Sequence, residues 1–338
     1  MLVLILRRLL LIPILLLGIV TATFVLAQFT KGDPLVSIVG ARGLSNPAVV
    51  EAAKQRWGLD KTVPERYLIY ITNLVEGDMG TSFRTKQPVV SDLIQRLPAT
   101  LELGICAMLI GAASGIVLGV ISVRFHDGVA DHAARFVALL GSCVPMFWLG
   151  LVVLFVFSVQ THLLPGPGRL DVRASQPPSV TGFMLVDTLL SGNLSSFVDA
   201  VRHLVLPSVV LGWSITGIVS RMVRASMLDV MKQDFITMAR AKGASATRVL
   251  VHHALRNALI PALTIIGFTF AYLITGSVLV ETIFAWPGIG TYAVEAARSL
   301  DYPAITGVTI IGGLGFLIAS LLTDITYAAV DPRMRATA

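Results

Sequence analysis

Two adjacent histidines, His252 and His253, and two cysteines, Cys106 and Cys143, are the residues best suited to metal or redox chemistry, and their spacing argues against both. Ligands on one helix face need a spacing of about three or four residues, and neighbours point to different faces. The cysteines fall inside apolar stretches without CxxC or Cys/His spacing, so they read as small core residues. No GxxxxGK[ST] loop is present to cradle the phosphates of a nucleotide. What remains is the chemistry of polar contact with another molecule. It is concentrated in MKQDFITMARAKGASATRVLVHHALRNALIP, from Met231 to Pro261, where Asp234, Arg240 and Lys242 stand among small residues.

The elements that must position these residues follow from their spacing. Phe235, Met238 and Ala239 share one helical face, Ala239 and Ala241 are small enough to let another protein approach, and Gly243 is the expected stop. A second helix from about Ala246 to Ala258 carries Arg248, His252, His253 and Arg256 towards a long apolar run. The pair describes a short exposed helix lying across a membrane surface. Charge pattern alone fits equally well a solvated segment that only sets orientation.

Membrane placement follows from composition. Of 338 residues, 55% are hydrophobic and 14% charged, where a soluble domain carries about 25% charged residues. The net charge of +6 is accompanied by no RNA-recognition signature and no finger spacing, and basic residues between apolar stretches are what bilayer orientation requires. The run Leu9 to Phe29, after Arg7 and Arg8, is longer than the roughly 7 to 15 apolar residues of a secretory signal, so it reads as a retained span. Five further stretches approach span length: Leu101 to Val123, Phe136 to Val159, Leu204 to Val223, Leu259 to Val280 and Ile305 to Val330. The expected fold is an all-α polytopic membrane protein of six transmembrane helices. Arg224, Lys232, Arg240, Lys242, Arg248 and Arg256, with the basic residues at both ends, make loop 224–257 and both termini cytoplasmic by the positive-inside rule.

The chain divides into a first span (1–29), an extracytoplasmic loop with short amphipathic helices (30–100), and a core of five spans (101–338) interrupted by extracytoplasmic loop 160–203. In the first loop Asn46 and Pro47 read as an N-cap and first turn, with Gly58 as a stop. A second helix is expected from Pro64 to Glu76, with Tyr67, Leu68, Ile71, Leu74 and Val75 at helical spacing. Gly111, Gly115 and Gly119 form a small-xxx-small ladder for close helix packing, within the bundle or against a second subunit. Asp324 is the main ionisable residue expected inside a span, near its cytoplasmic end, where capping or pairing suits it better than proton relay.

The stretch ARAKG (Ala239 to Gly243), followed by HALRNALIP (His253 to Pro261), resembles the ATPase-docking motif of binding-protein-dependent ABC importer permeases of the dipeptide, oligopeptide and nickel class, most closely the dipeptide type. The general motif is EAA, three residues, Gly, nine residues, then IxLP. Aligned on Gly243, it places Thr237, Met238 and Ala239 at EAA and His253 to Arg256 at IxLP, keeping Ala239, Gly243 and Leu255. Further pieces are similar to that class: GDPL at Gly32, GLDKTVPERY at Gly58, GDMGTSF at Gly77, LPATLEL at Leu97, RHLVLP at Arg202, FAWPGIG at Phe284 and DITYAAVDPRMR at Asp324.

The resemblance implies a type I ABC importer transmembrane domain in a bacterial plasma membrane. It implies a second, homologous permease subunit, one or two ATPase subunits or a fused ATPase, and an extracytoplasmic binding protein that delivers dipeptides or short oligopeptides. It places ATP and Mg on the partner ATPases, with no cofactor or metal on this chain and no catalytic residue in it. Asp234, Phe235, Met238, Ala239, Arg240, Ala241, Lys242 and Gly243 become the coupling helix. Substrate-binding residues stay unassigned, and loop 160–203 becomes a candidate for reaching towards the binding protein. Nickel or glutathione would use the same machinery. An ion-coupled secondary transporter is the alternative of a different class, and it calls for midplane charges and internal repeats that the spans do not display.

Overall fold

The computed structural model describes residues 2–29, 35, 39, 44–57 and 60–330. The expected stop at Gly58, residues 32–34 of the first matching motif and residues 331–335 of the last lie outside the described residues, as does the side chain of Asp324. Among the described residues the chain is helical, with one isolated antiparallel bridge between Thr81 and Pro88. The helices are α1 (Leu2–Phe29), α2 (Pro47–Trp57), α3 (Val63–Val75), α4 (Val89–Arg124), α5 (Val129–Cys143), α6 (Met146–Leu154), α7 (Met184–Leu190), α8 (Leu194–Val230), α9 (Asp234–Ala241), α10 (Arg256–Gly276), α11 (Val278–Ile283), α12 (Ile289–Arg298) and α13 (Tyr302–Val330). Wider π-helical turns extend α6 through Phe155–Gln160 and lead into α10 through Val249–Leu255.

Within the described residues, Val89–Arg124, Leu194–Val230, Ala246–Thr269 and Tyr302–Thr323 are long and apolar enough to cross a membrane, and Leu10–Leu26 is a shorter apolar stretch of α1. The expected third span, Phe136 to Val159, is not a straight helix. Val129–Cys143 and Met146–Gln160 pass only as a pair, bent by 105°. Pro145 explains the break, because a proline disfavours helical backbone at the residue before it, and Val144 is accordingly extended at φ −77° and ψ 124°. The second span also starts earlier than its apolar run, since α4 begins at Val89 rather than Leu101.

Helix α8 is the central element, and small residues let its neighbours reach its backbone. A Cβ on Gly111 would fall 2.6 Å from both Gly212 O and Ile215 Cβ, one on Gly115 2.7 Å from Val219 Cβ, and one on Gly119 2.8 Å from Val223 Cβ. The ladder is therefore spent on the α4–α8 contact inside this chain. Gly141 and Gly217 do the same for α5, where a Cβ on Gly217 would lie 2.6 Å from Ala138 O. Ile215, Val219 and Val223 are fully buried in this seam, as expected where helix association in lipid depends on close van der Waals packing.

Helix α3 begins where Pro64 follows Thr62, and the Glu65 carboxylate accepts from Thr62 N at 2.9 Å and Thr62 Oγ1 at 2.8 Å. The Thr62 hydroxyl, followed by its backbone N–H, holds the Glu65 carboxyl below the usual range. Tyr67 fixes α3 to α1: its hydroxyl lies 2.7 Å from Thr21 Oγ1, and its ring meets Phe24 edge-on at 5.3 Å. The inward face runs through Tyr67, Tyr70, Ile71 and Leu74, whereas Leu68 and Val75 are exposed.

A candidate coupling site beneath the helix bundle

Helix α9 has a defined beginning and end. Asp234 lies in its first turn, where a carboxylate favours the positive end of the helix dipole. At the other end Ala244 N donates to Ala239 O at 3.1 Å and Gly243 N to Arg240 O at 2.9 Å. The first of these bonds requires the left-handed backbone that Gly243 adopts at φ +81°, the arrangement by which glycine closes a helix. No atom lies within 4 Å of where a Gly243 Cβ would be. The glycine is needed for conformation, not for space inside this chain.

The helix is held to the bundle by Ile236, which is fully buried with Met227 and Val230 at the end of α8 and with Val249, Leu250 and Ala254 of the π-helical segment. Ala239 is half-buried against the same cluster. Phe235 and Met238 are exposed at 38% and 58%, and Asp234, Arg240, Ala241, Lys242 and Gly243 are exposed as well. The structure thus brings seven of the expected residues to one open surface and turns Ala239 partly inward. Ile236 was missed because the sequence face was drawn through Phe235 and Met238. The signal was there: a β-branched residue three positions before an inward-facing alanine shares its side of a helix.

Towards the end of α8, three helices are joined by buried charge. Asp131 of α5 is fully buried and receives Arg224 of α8 through Nη2 at 3.1 Å and Nε at 3.2 Å. Arg224 Nε also donates to Ser122 Oγ of α4 at 2.7 Å, and the Ser122 hydroxyl donates to Asp131. Arg135 Nε reaches Asp131 at 3.2 Å, and Asp127 N caps it at 3.0 Å. His252 and His253 meet edge-on, with ring centroids 5.2 Å apart.

An exposed eight-residue helix, anchored to the bundle by one buried side chain, can take up displacement from a partner and pass it on. The family described as "Binding-protein-dependent transport system inner membrane component" matches residues 115–336, and its N-terminal companion matches residues 1–104. The chain belongs to this family of transport permeases. It is 42% identical over 319 residues to a di/tripeptide transport system permease of Pseudomonas aeruginosa, covering 94% of each chain. It is 40% identical over 337 residues to the dipeptide transport system permease of Escherichia coli K12, covering 99% of each. A glutathione transport system permease of Pectobacterium atrosepticum is 34% identical over 330 residues, covering 97% of each. This is accordingly a multi-pass permease of the bacterial inner membrane, one component of a transport system.

At the opposite end of the bundle, the permease folds loop 160–203 down onto its helices. Glu102 of α4 accepts from Arg169 Nη2 at 2.6 Å and from Leu185 N at 2.8 Å. The Arg169 guanidinium lies 5.5 Å from the Trp286 ring centroid, and Trp286 Nε1 donates to Ala99 O at 2.8 Å. Asp187 gathers Thr181 N at 2.8 Å, Thr181 Oγ1 at 2.7 Å and Gly182 N at 3.0 Å. Gly182, at φ +79°, rests where a Cβ would fall 2.8 Å from Pro98 Cγ. The loop is therefore pinned to the bundle at its middle. Val172 is fully exposed, while on either side of it Asp171 N donates to Asp199 of α8 at 2.7 Å and Ser175 O accepts from Ser196 at 3.2 Å.

Proposed function

We propose that this permease is one membrane half of an ATP-driven importer of dipeptides, with both termini and α9 on the cytoplasmic side. The observation that carries the cargo reading is the match of essentially the whole chain, at 40%, to a dipeptide transport system permease. A second permease completes the translocation route, an extracytoplasmic binding protein delivers the peptide, and partner ATPases hold ATP and Mg. The six-span topology agrees with the basic residues of loop 224–257 and with the four span-length helices, the bent pair and the apolar stretch of α1.

In this reading the exposed row Asp234, Phe235, Met238, Arg240, Ala241, Lys242 and Gly243 meets the ATPase. Ile236 transmits its displacement to α8, and the break at Val144–Pro145 is where the bundle can change shape. Each access state is populated by the ligand that binds it better: closed nucleotide-bound ATPases favour one, and nucleotide-free ATPases the other. The test is uptake of labelled dipeptide by the complex reconstituted in vesicles, with ATP inside and unlabelled glutathione or nickel as competitors. ATP-dependent uptake that dipeptides compete for supports the reading. Uptake driven by an ion gradient without the ATPases, or competed for only by glutathione or nickel, defeats it.

A further inference from the structure

Among the described residues, Arg221 of α8 is a cation without a counter-ion. Among the described residues it meets no carboxylate: Asp131, the acid a turn further along the seam, is taken by Arg224 and Arg135. Arg221 is bound through one nitrogen only, Nη1, which donates to Ser142 Oγ at 2.6 Å and Ala138 O at 3.4 Å. Its Nε and Nη2 are left as an open pair of donors, and the side chain is exposed. Two parallel donors on a planar cation are the geometry that receives a carboxylate with both oxygens.

The direction of the side chain separates this residue from an ordinary interfacial anchor. An arginine near the cytoplasmic face of a membrane extends its head outwards to reach water and phosphate. Arg221 points the other way, as helical side chains lean towards the N-terminus. Its two acceptors, Ala138 O and Ser142 Oγ, are the same atoms that a Cβ on Gly217 would touch at 2.6 and 2.9 Å. The guanidinium therefore lies one helical turn deeper than its own Cα. In this half of α8 the exposed positions are Ile218, Arg221, Ala225 and Asp229, a single stripe on an otherwise covered helix. An ionisable group held at depth faces a bundle interior or a water-filled route.

We propose that Arg221 contacts cargo in the translocation route, its free guanidinium edge receiving the terminal carboxylate of the passing peptide. The inference rests on the dipeptide reading above and adds to it a residue of this chain and the chemical group it recognises. A fixed cation at this depth offsets the cost of bringing a carboxylate out of water. Because the contact is a lone ion pair open to solvent, the peptide can leave again.

The test uses the full complex in vesicles, comparing wild type with Arg221→Gln, Arg221→Ala and Arg221→Lys. Glutamine keeps a donor for Ser142 and loses the charge, so a role confined to tying α8 to α5 survives it, and a role in holding carboxylate does not. Arg221→Gln and Arg221→Ala are expected to lower dipeptide uptake by about tenfold or more, with thermal stability and basal ATP hydrolysis unchanged. Arg221→Lys, which keeps the charge without the fork, is expected to fall between wild type and Arg221→Gln. Uptake by Arg221→Gln equal to wild type overturns the inference. So does a loss seen only in vesicles containing anionic phospholipid and absent in phosphatidylcholine alone, which assigns the cation to a lipid phosphate. A wild-type complex that carries no dipeptide overturns the cargo reading itself, and that failure is distinguishable because it appears before any substitution.

Discussion

Arg224 reaches from α8 to the fully buried Asp131 of α5, Nη2 to Oδ2 at 3.1 Å, and shares Ser122 of α4 with it. Removing one partner of a buried pair leaves an uncompensated charge, at a cost of about 3–5 kcal/mol. Asp131→Ala is expected to lower the melting temperature of the detergent-solubilised permease markedly. The double change Asp131→Asn with Arg224→Met should recover a large part of the loss, because no charge is then stranded. An unchanged melting temperature for Asp131→Ala would remove this pair from the account of stability.

Gly243 separates two reasons for a glycine at the end of α9. Its φ of +81° costs an ordinary L-residue about 1–2 kcal/mol, while nothing within 4 Å obstructs a side chain. Asparagine tolerates this backbone and valine does not. Gly243→Asn is expected to keep the ratio of uptake to ATP hydrolysis, and Gly243→Val to lower it several-fold with the complex assembled. Equal loss in both would instead assign the position to close contact with the ATPase.

Much of this was legible in residue spacing, and the failures share a cause. The helix from Asp234, its stop at Gly243 and the close-packing ladder at Gly111, Gly115 and Gly119 depend on local rules. Hydropathy marks where apolar residues lie but not where a helix bends, so the 105° break at Val144–Pro145 was hidden inside one apolar run. Pairings between distant residues, such as Arg169 with Glu102 or Arg224 with Asp131, leave no periodic signal. Arg221 was counted with the end of a span because sequence does not show which way a side chain points.

Ile236 and Met238 lie on opposite sides of α9, one fully buried and the other 58% exposed. Truncating a buried isoleucine to alanine costs about 2–5 kcal/mol, so Ile236→Ala should free α9 from the bundle and lower both uptake and protease resistance of the loop. Met238→Ala should leave protease resistance intact and weaken only recovery of the ATPase with the purified permease. The same outcome for both substitutions in both assays would show that the two faces are not distinct.

The ladder makes a different prediction according to whether it packs inside the chain or against a second permease. A Cβ on Gly115 would fall 2.7 Å from Val219 Cβ, closer than packed carbons tolerate, and overpacking costs about 1–3 kcal/mol. Gly115→Ala is expected to lower the stability of the permease on its own, and Val219→Ala added to it should restore part of that loss. A Gly115→Ala permease of normal stability that fails to pair with its partner would move the ladder to the subunit interface.

Asp187 gives the loop at the opposite end a pH limit. Burial pushes its carboxyl up, but bonds from Thr181 N, Thr181 Oγ1 and Gly182 N outweigh this and hold it below the ordinary value of 3.8. A carboxyl depressed on folding stabilises the loop fully above its unfolded value and loses that contribution as pH falls through the folded one. The loop should therefore keep its protease resistance down to about pH 4 and lose it below. Asp187→Asn removes the charge while nearly keeping the shape, so its loop should be weakened at neutral pH by about 1–3 kcal/mol and respond less to acid. Limited proteolysis from the outer face at pH 7 and pH 3 compares the two, and an acid response as large in Asp187→Asn as in wild type would place the titrating group elsewhere.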